Sequence, residues 1–308
     1  MSILDHIGGT RLLALTSMAP RNSATVLLKL ETENPTGSMK DRMALAMVTA
    51  AEKDGRLKPG GAVVEYTGGS TGVSLSLVCA AKHIPLEIVT SDAFSKEKRN
   101  HMTALGANLT LVPSTTGGTT KELTLEMIET ARRIAAAKPG SFWTDQFNNT
   151  DVLPGYAKMA DEIWAQTGGK VDAFVQSVGT SGSFRGLATR LRQLNPALHA
   201  VAVEPAESAV LSGGPSGSHK IEGTGPGFVP PQWRPDLASE IAQVSSMDAM
   251  AMARRLAREE GIFAGTSTGA NVLAALHVAE RLGPGKTVVT IACDTGMKYL
   301  STALYSRT

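Results

Sequence analysis

DAFVQSVGTSGSFRGLATRLRQLNPALHAVAVEP, residues 172–205, reads as one strand–loop–helix–strand unit. DAFVQSV (172–178) is a short apolar run of the kind a buried strand needs, and HAVAVEP (199–205) is a second. The segment from Ser183 to Leu194 between them reads as a helix. Two parallel strands need a crossover, and a helix supplies it with right-handed sense. The loop puts Gly179, Thr180, Ser181, Gly182 and Ser183 at the mouth of that helix. Backbone N–H groups, hydroxyls and the positive end of the helix dipole there suit a bound anion. No lysine follows the second glycine and the GxGxxG spacing is absent, which argues against a nucleotide P-loop and a dinucleotide site. The cradle suits one phosphate monoester.

The same alternation runs along most of the chain. AVVEY (62–66), LEIVT (86–90) and NLTLVP (108–113) read as strands, each followed by a helical run. Helices over 246–260 and 268–282 flank the short IFAG and precede the strand TVVTIA (287–292). This is an α/β pattern of mostly parallel, twisted sheets covered by helices, with ligands expected at the carboxyl ends of the strands. At 308 residues two lobes are expected. SFWTDQFNNTDVLPG (141–155) breaks the rhythm and marks the boundary. The expected division is a smaller lobe over 41–145 and a larger one built from 1–40 and 146–308. Residues 206–235, rich in Gly, Pro and Ser, form a long loop of the kind that carries function.

Composition excludes several classes. The 30 basic residues nearly balance 28 acidic ones and form no block, so neither nucleic acid nor a membrane surface is an expected partner. Cys79 and Cys293 are too few for a disulfide framework or metal cluster, and the six histidines are scattered, so no metal is expected. Cys79 reads as a small core residue. Cys293 has no His/Asp arrangement that would make it a nucleophile. MSILDHIGG lacks the basic start and apolar run of a signal peptide, and no apolar stretch is long enough to span a bilayer. A cytoplasmic protein is expected.

Three further features carry chemistry. Lys40 closes NPTGSMK and opens a helical run, facing the positive end of a helix dipole; this segment alone reads either as a solvated first-turn lysine or as one whose lowered pKa suits a Schiff base. TGGSTG (67–72) offers N–H groups and the Thr67, Ser70 and Thr71 hydroxyls between a strand and a helix, which suits a carboxylate. CDTGMKYLST (293–302) follows the last strand. Thr295 is a hydroxyl at a strand end there, and Asp294 reads as a turn residue.

In this order NPTGSMKDR, TGGSTG, GTSGS, KIEGTGPGFVP and EEGIFAGTSTGA resemble the cysteine synthase and cystathionine β-synthase family, over roughly residues 5–305. These are pyridoxal 5'-phosphate enzymes of the tryptophan synthase β-like fold. The resemblance implies that Lys40 forms the internal aldimine and that Gly179, Thr180, Ser181, Gly182 and Ser183 bind the cofactor phosphate. It implies that Thr295, matching a family serine, faces the pyridine nitrogen. It also implies that Thr67, Gly68, Thr71 and Gln146 hold the substrate carboxylate. Ser70 stands where the family usually has an asparagine contacting the cofactor's ring hydroxyl. The implied reaction is β-replacement on an O-activated serine or serine through an aminoacrylate, with sulfide or another small nucleophile and Lys40 as the base. Alternatives are β-elimination of the serine or cysteine deaminase kind, a cystathionine β-synthase-like activity, and a mainly regulatory binding role. A homodimer is implied, as is capture of a serine acetyltransferase tail. Neither haem nor a nucleotide-sensing module is expected.

Overall fold

The computed structural model describes residues 1–115, 117 and 120–306. A six-stranded sheet runs in the order β1 (Leu12–Ala14), β2 (Thr25–Lys29), β10 (Thr287–Ile291), β7 (Ala173–Ser177), β8 (His199–Pro205) and β9 (Glu240–Val244). Its pairings are parallel except β1 with β2, which is antiparallel. A four-stranded parallel sheet has the order β5 (Asn108–Val112), β4 (Leu86–Ser91), β3 (Val63–Tyr66) and β6 (Phe142–Trp143). The expected α/β fold with two parallel sheets is what forms. IFAG is not a strand: Ala264 makes only an isolated antiparallel bridge to Thr295.

Alternation along each strand sends its side chains to two cores. In β7, Phe174 joins the cluster with Met159 of α5 (Val152–Gln166) and Leu187 of α6 (Gly182–Leu194). Ala173 and Val175 point the other way, into a cluster with Leu256 of α7 (Ser246–Glu259) and Ala275 of α8 (Thr266–Leu282). In the smaller sheet, Val63 and Ile88 pack with α1 (Lys40–Asp54) and α2 (Ser70–Lys82), while Val64 and Val89 pack under α4 (Lys121–Ala137). Met43 and Met47 of α1 share one core with Tyr156 and Met159 of α5, so α1 is anchored against the larger sheet's helices. Cys79 is buried in this core, and burial pushes its thiol up to about 12.

A buried ionic network fixes the same helix. Arg42, in the first turn of α1, donates to Glu31 Oε2 at 2.7 Å and to Glu162 Oε1 at 2.7 Å. Lys29, fully buried in β2, pairs with Glu162 Oε2 at 2.7 Å. Burial alone would raise the Glu162 carboxyl, but hydrogen bonds from Arg42 and Lys29 bring it down to about 2 from 4.5. A depressed carboxylate contributes stability above its unfolded pKa and loses it as pH falls through the folded one. Glu162→Gln should therefore lower the unfolding free energy at pH 7 by on the order of 3 kcal/mol. In urea melts, the gap between variant and wild type should close as pH falls from 4.5 towards 2. Among the described residues no helix is long and apolar enough to cross a membrane.

Candidate active site

The carboxyl ends of β3, β7 and β10 and the first turns of α1, α2, α6 and α8 surround one cavity of about 370 Å³. Lys40 is the first residue of α1 and lines it. Its segment is pinned to the end of β10: Met39 N–H donates to the Cys293 carbonyl at 2.9 Å, and Ser38 bridges Asp294. Burial lowers the Lys40 pKa, with Cys293 and Asp294 opposing it. Desolvation thus leads where the helix start alone was expected to act. Cys293 is buried too, and its thiol is pushed up to about 12, so at neutral pH it is not a thiolate nucleophile.

The loop after β7 is built for close approach. Gly179, Thr180 and Ser183 line the cavity. A Cβ on Gly179 would lie 2.3 Å from the Gly223 carbonyl oxygen, so only glycine lets the two loops meet. Ser181 holds the left-handed conformation at φ 71°, which turns the chain into α6 at Gly182. Its buried Oγ has no partner. Ser183 Oγ accepts from Gln176 Nε2 at 2.8 Å, leaving its own proton for a ligand. Ser181 and Gly182 do not line the cavity wall themselves.

The loop after β3 gathers Thr67, Gly68, Ser70, Thr71 and Gln146 on the same cavity. Thr67 Oγ1 accepts from the N–H groups of Gly69 at 2.9 Å and Gly72 at 3.3 Å, so its side chain shapes the turn. Thr71 Oγ1 donates to Gln146 Oε1 at 2.9 Å, and Gln146 Nε2 donates to the Tyr66 carbonyl at 2.9 Å. Behind them Glu65 accepts from Gln146 N–H at 3.0 Å; burial pushes this carboxyl up to about 8. A Cβ on Gly68 would stand 2.9 Å from the Phe94 ring.

Thr295, which the resemblance sets at the pyridine nitrogen, does not line the cavity. Its bridge to Ala264 turns it away, its Oγ1 accepts from Met297 N–H at 3.3 Å as a cap, and its methyl packs on Gly37. Ser267, in the first turn of α8, does line the cavity. GTSTGA (265–270) carried that signal, as a glycine-flanked hydroxyl run opening a helix. Thr295→Ala should cost about 1 kcal/mol in thermal or urea melts, as loss of a cap does, and leave cofactor retention unchanged. Ser267→Ala should weaken retention instead.

Sequence reading also missed the walls between the lobes. Lys98 of α3 (Lys96–Ala104) reaches Glu222 Oε2 at 2.5 Å and lies 4.2 Å from the Tyr299 ring centroid. Asp294 lines the cavity rather than serving only a turn. The long loop supplies residues 216–219 and 221–227 to the rim.

Residues 3–294 match the family model for pyridoxal-phosphate dependent enzymes. The chain belongs to that family. It is similar to a probable cysteine synthase of Bacillus subtilis (strain 168), 42% identical over 98% of this chain and 96% of that protein. The structure is similar to a cysteine synthase from Entamoeba histolytica, with TM-score 0.92, 38% identity, and coverage of 99% of this chain and 90% of that one. It is also similar to an O-acetylserine dependent cystathionine β-synthase from Helicobacter pylori, with TM-score 0.92, 33% identity, and coverage of 99% and 98%. For a pyridoxal-phosphate dependent enzyme the residues fit the cofactor. The Ser183 hydroxyl, its own proton uncommitted, and the glycine-only approach at Gly179, both on the cavity, would cradle its phosphate. Lys40, its ammonium form disfavoured, lies on the same cavity to receive the aldehyde carbon.

Proposed function

We propose that this chain catalyses β-replacement of the cysteine synthase type, exchanging the β-substituent of an O-activated serine for sulfide or another small thiol. The observation that carries the reading is one cavity joining Lys40, the glycine-rich cradle after β7 and the N–H-rich loop after β3. Whole-chain similarity to cysteine synthases supports it. When bound, pyridoxal phosphate supplies an electron sink for charge developing at the substrate's α-carbon. The chain's own groups do the rest. The cradle from Gly179 to Ser183 holds the phosphate at the start of α6, where the helix dipole and free N–H groups favour an anion. The first-turn N–H groups of α2, with Thr71 and Gln146 locked to each other, hold the substrate carboxylate. Lys40, its ammonium form disfavoured by desolvation, takes the proton from the α-carbon and returns it. Ser267, which lines the cavity where Thr295 does not, would face the pyridine nitrogen. A hydroxyl there holds that nitrogen without protonating it, which favours loss of the β-substituent over transamination.

The test is a panel of O-acetylserine, O-phosphoserine, serine and cysteine, each with and without sulfide, assayed for cysteine and pyruvate. Cysteine formed from an O-activated serine only with sulfide is the expected result. Pyruvate formed equally with and without sulfide would establish elimination instead. Similarity to the Helicobacter pylori enzyme supports homocysteine as a second thiol in the same panel.

The family resemblance further supports a homodimer, which sedimentation of the holoenzyme would measure. The loop after β3 suits capture of a C-terminal carboxylate such as that of serine acetyltransferase. A cytoplasmic location accords with a biosynthetic role of this kind.

A further inference from the structure

The wall beside Lys40 carries a carboxylate that the steps above do not use. Asp294 follows β10, is 4% exposed and lines the cavity. Ser70 Oγ donates to its Oδ2 at 2.9 Å, and the Tyr299 phenol donates to the same oxygen at 2.8 Å. Burial raises the Tyr299 pKa well above its ordinary value, with Asp294 adding to the effect, so the phenol keeps the proton it donates. Asp294 Oδ1 is buried without a partner among the described residues. It faces Gly265, where any Cβ would lie 2.4 Å away. Oδ2 accepts both of these bonds and offers neither donor a proton in exchange. The Ser70 proton is therefore committed to Asp294, and only lone pairs on its oxygen face the cavity. An asparagine at this position would offer an N–H donor; this chain offers an acceptor.

We propose that Asp294 is a positioning residue that, through Ser70, makes the wall beside Lys40 accept hydrogen bonds and not donate them, selecting the protonated form of the cofactor's ring hydroxyl. The inference rests on the pyridoxal phosphate reading. That hydroxyl is on the ring carbon next to the one bearing the aldehyde, and Lys40, Ser70 and Asp294 line one cavity, so a cofactor engaged by Lys40 would carry it near this wall. There one proton has two seats, the ring oxygen or the nitrogen contributed by Lys40. An acceptor beside the oxygen favours a proton on that oxygen; a donor favours the oxygen anion and a proton on nitrogen. The other charged groups near Asp294 are Lys40 of α1 and Lys298 of its own turn, whose Nζ is buried and unpartnered, with Lys98 of α3 and Glu222 of the long loop beyond the Tyr299 ring.

The two proton seats give separate absorption bands, the nitrogen-protonated form at longer wavelength. The experiment records the ratio of these bands in resting holoenzyme at one neutral pH, without substrate. Wild type should be dominated by the short-wavelength band. Asp294→Asn, whose amide can donate to Ser70 and free the hydroxyl to donate into the cavity, should move the ratio at least threefold towards the long-wavelength band. Ser70→Ala, which removes the acceptor while leaving the Tyr299 bond, should move it the same way. The double variant should match Ser70→Ala. A ratio unmoved in Ser70→Ala at full cofactor occupancy would overturn the proposal, even if Asp294→Asn does not fold. Absence of both bands from wild type incubated with pyridoxal phosphate would instead refute the cofactor reading beneath it.

Discussion

Replacing Lys40 with alanine should reduce β-replacement on the order of 10²–10⁴-fold while leaving the fold intact. The side chain is asked for two things, a covalent hold on the cofactor and proton transfer at the substrate's α-carbon, and alanine supplies neither. Folding does not depend on it. Lys40 takes no part in the Arg42–Glu162 network that ties α1 to α5, and its own pKa is lowered by desolvation. A buried lysine with a lowered pKa favours the neutral form in the folded state. The unfolded chain then binds more protons, and stability rises with pH up to the ordinary lysine value. Without cofactor, Lys40→Met should therefore be at least as stable as wild type at neutral pH in a thermal melt, and wild type should gain on it as pH rises. Loss of activity with loss of fold would place Lys40 in the core and not in the chemistry.

Gly179→Ala should be the most damaging single-methyl change in the cofactor cradle. The added carbon would sit 2.3 Å from the Gly223 carbonyl oxygen, a backbone atom that cannot swing aside as a side chain can. Either the loop after β7 or the rim loop must move, and both line the cavity. Overpacking of this kind costs about 1–3 kcal/mol. If the cost falls on the bound state, pyridoxal phosphate affinity drops about 5–150-fold, at 1.4 kcal/mol per factor of ten. Equilibrium dialysis of the cofactor against wild type and Gly179→Ala would measure this. Equal affinities would show that the cradle is not formed where these two loops meet.

How far the chain could be read in advance follows from which contacts are local. The strands after which the glycine-rich loops come are continuous apolar runs buried on both faces, such as AVVEY and DAFVQSV. These gave the α/β pattern and the cradle directly. The edges were not legible. β1 has three residues and β6 two, and β9, EIAQV, is only partly buried. β2 hides its signal differently: Lys29 is fully buried within it, and its partner Glu162 lies more than 130 residues on in α5. Nothing local announces such a pairing.

The site divides in the same way. Lys40 and the two loops were placed by their helix-start context, and the structure gathers them on one cavity. Thr295 and Ser267 are both small hydroxyls in glycine-flanked turns, so type and spacing do not separate them. What does is the isolated bridge from Ala264 to Thr295, which turns Thr295 out and leaves Ser267 facing in. Asp294 reads as a turn residue until Ser70, 224 positions earlier, is seen to donate to it. Lys98 and Glu222 likewise meet only because α3 and the long loop converge across the cavity.

Lys40 is the residue expected to hold pyridoxal phosphate covalently. Borohydride reduction of the holoenzyme, followed by proteolysis and mass analysis, fixes the cofactor to whichever amine carries it. One pyridoxyl group per chain is expected, on the peptide containing Lys40, and none in Lys40→Ala. A label on Lys98 or Lys298, or an unlabelled chain after incubation with the cofactor, would contradict it.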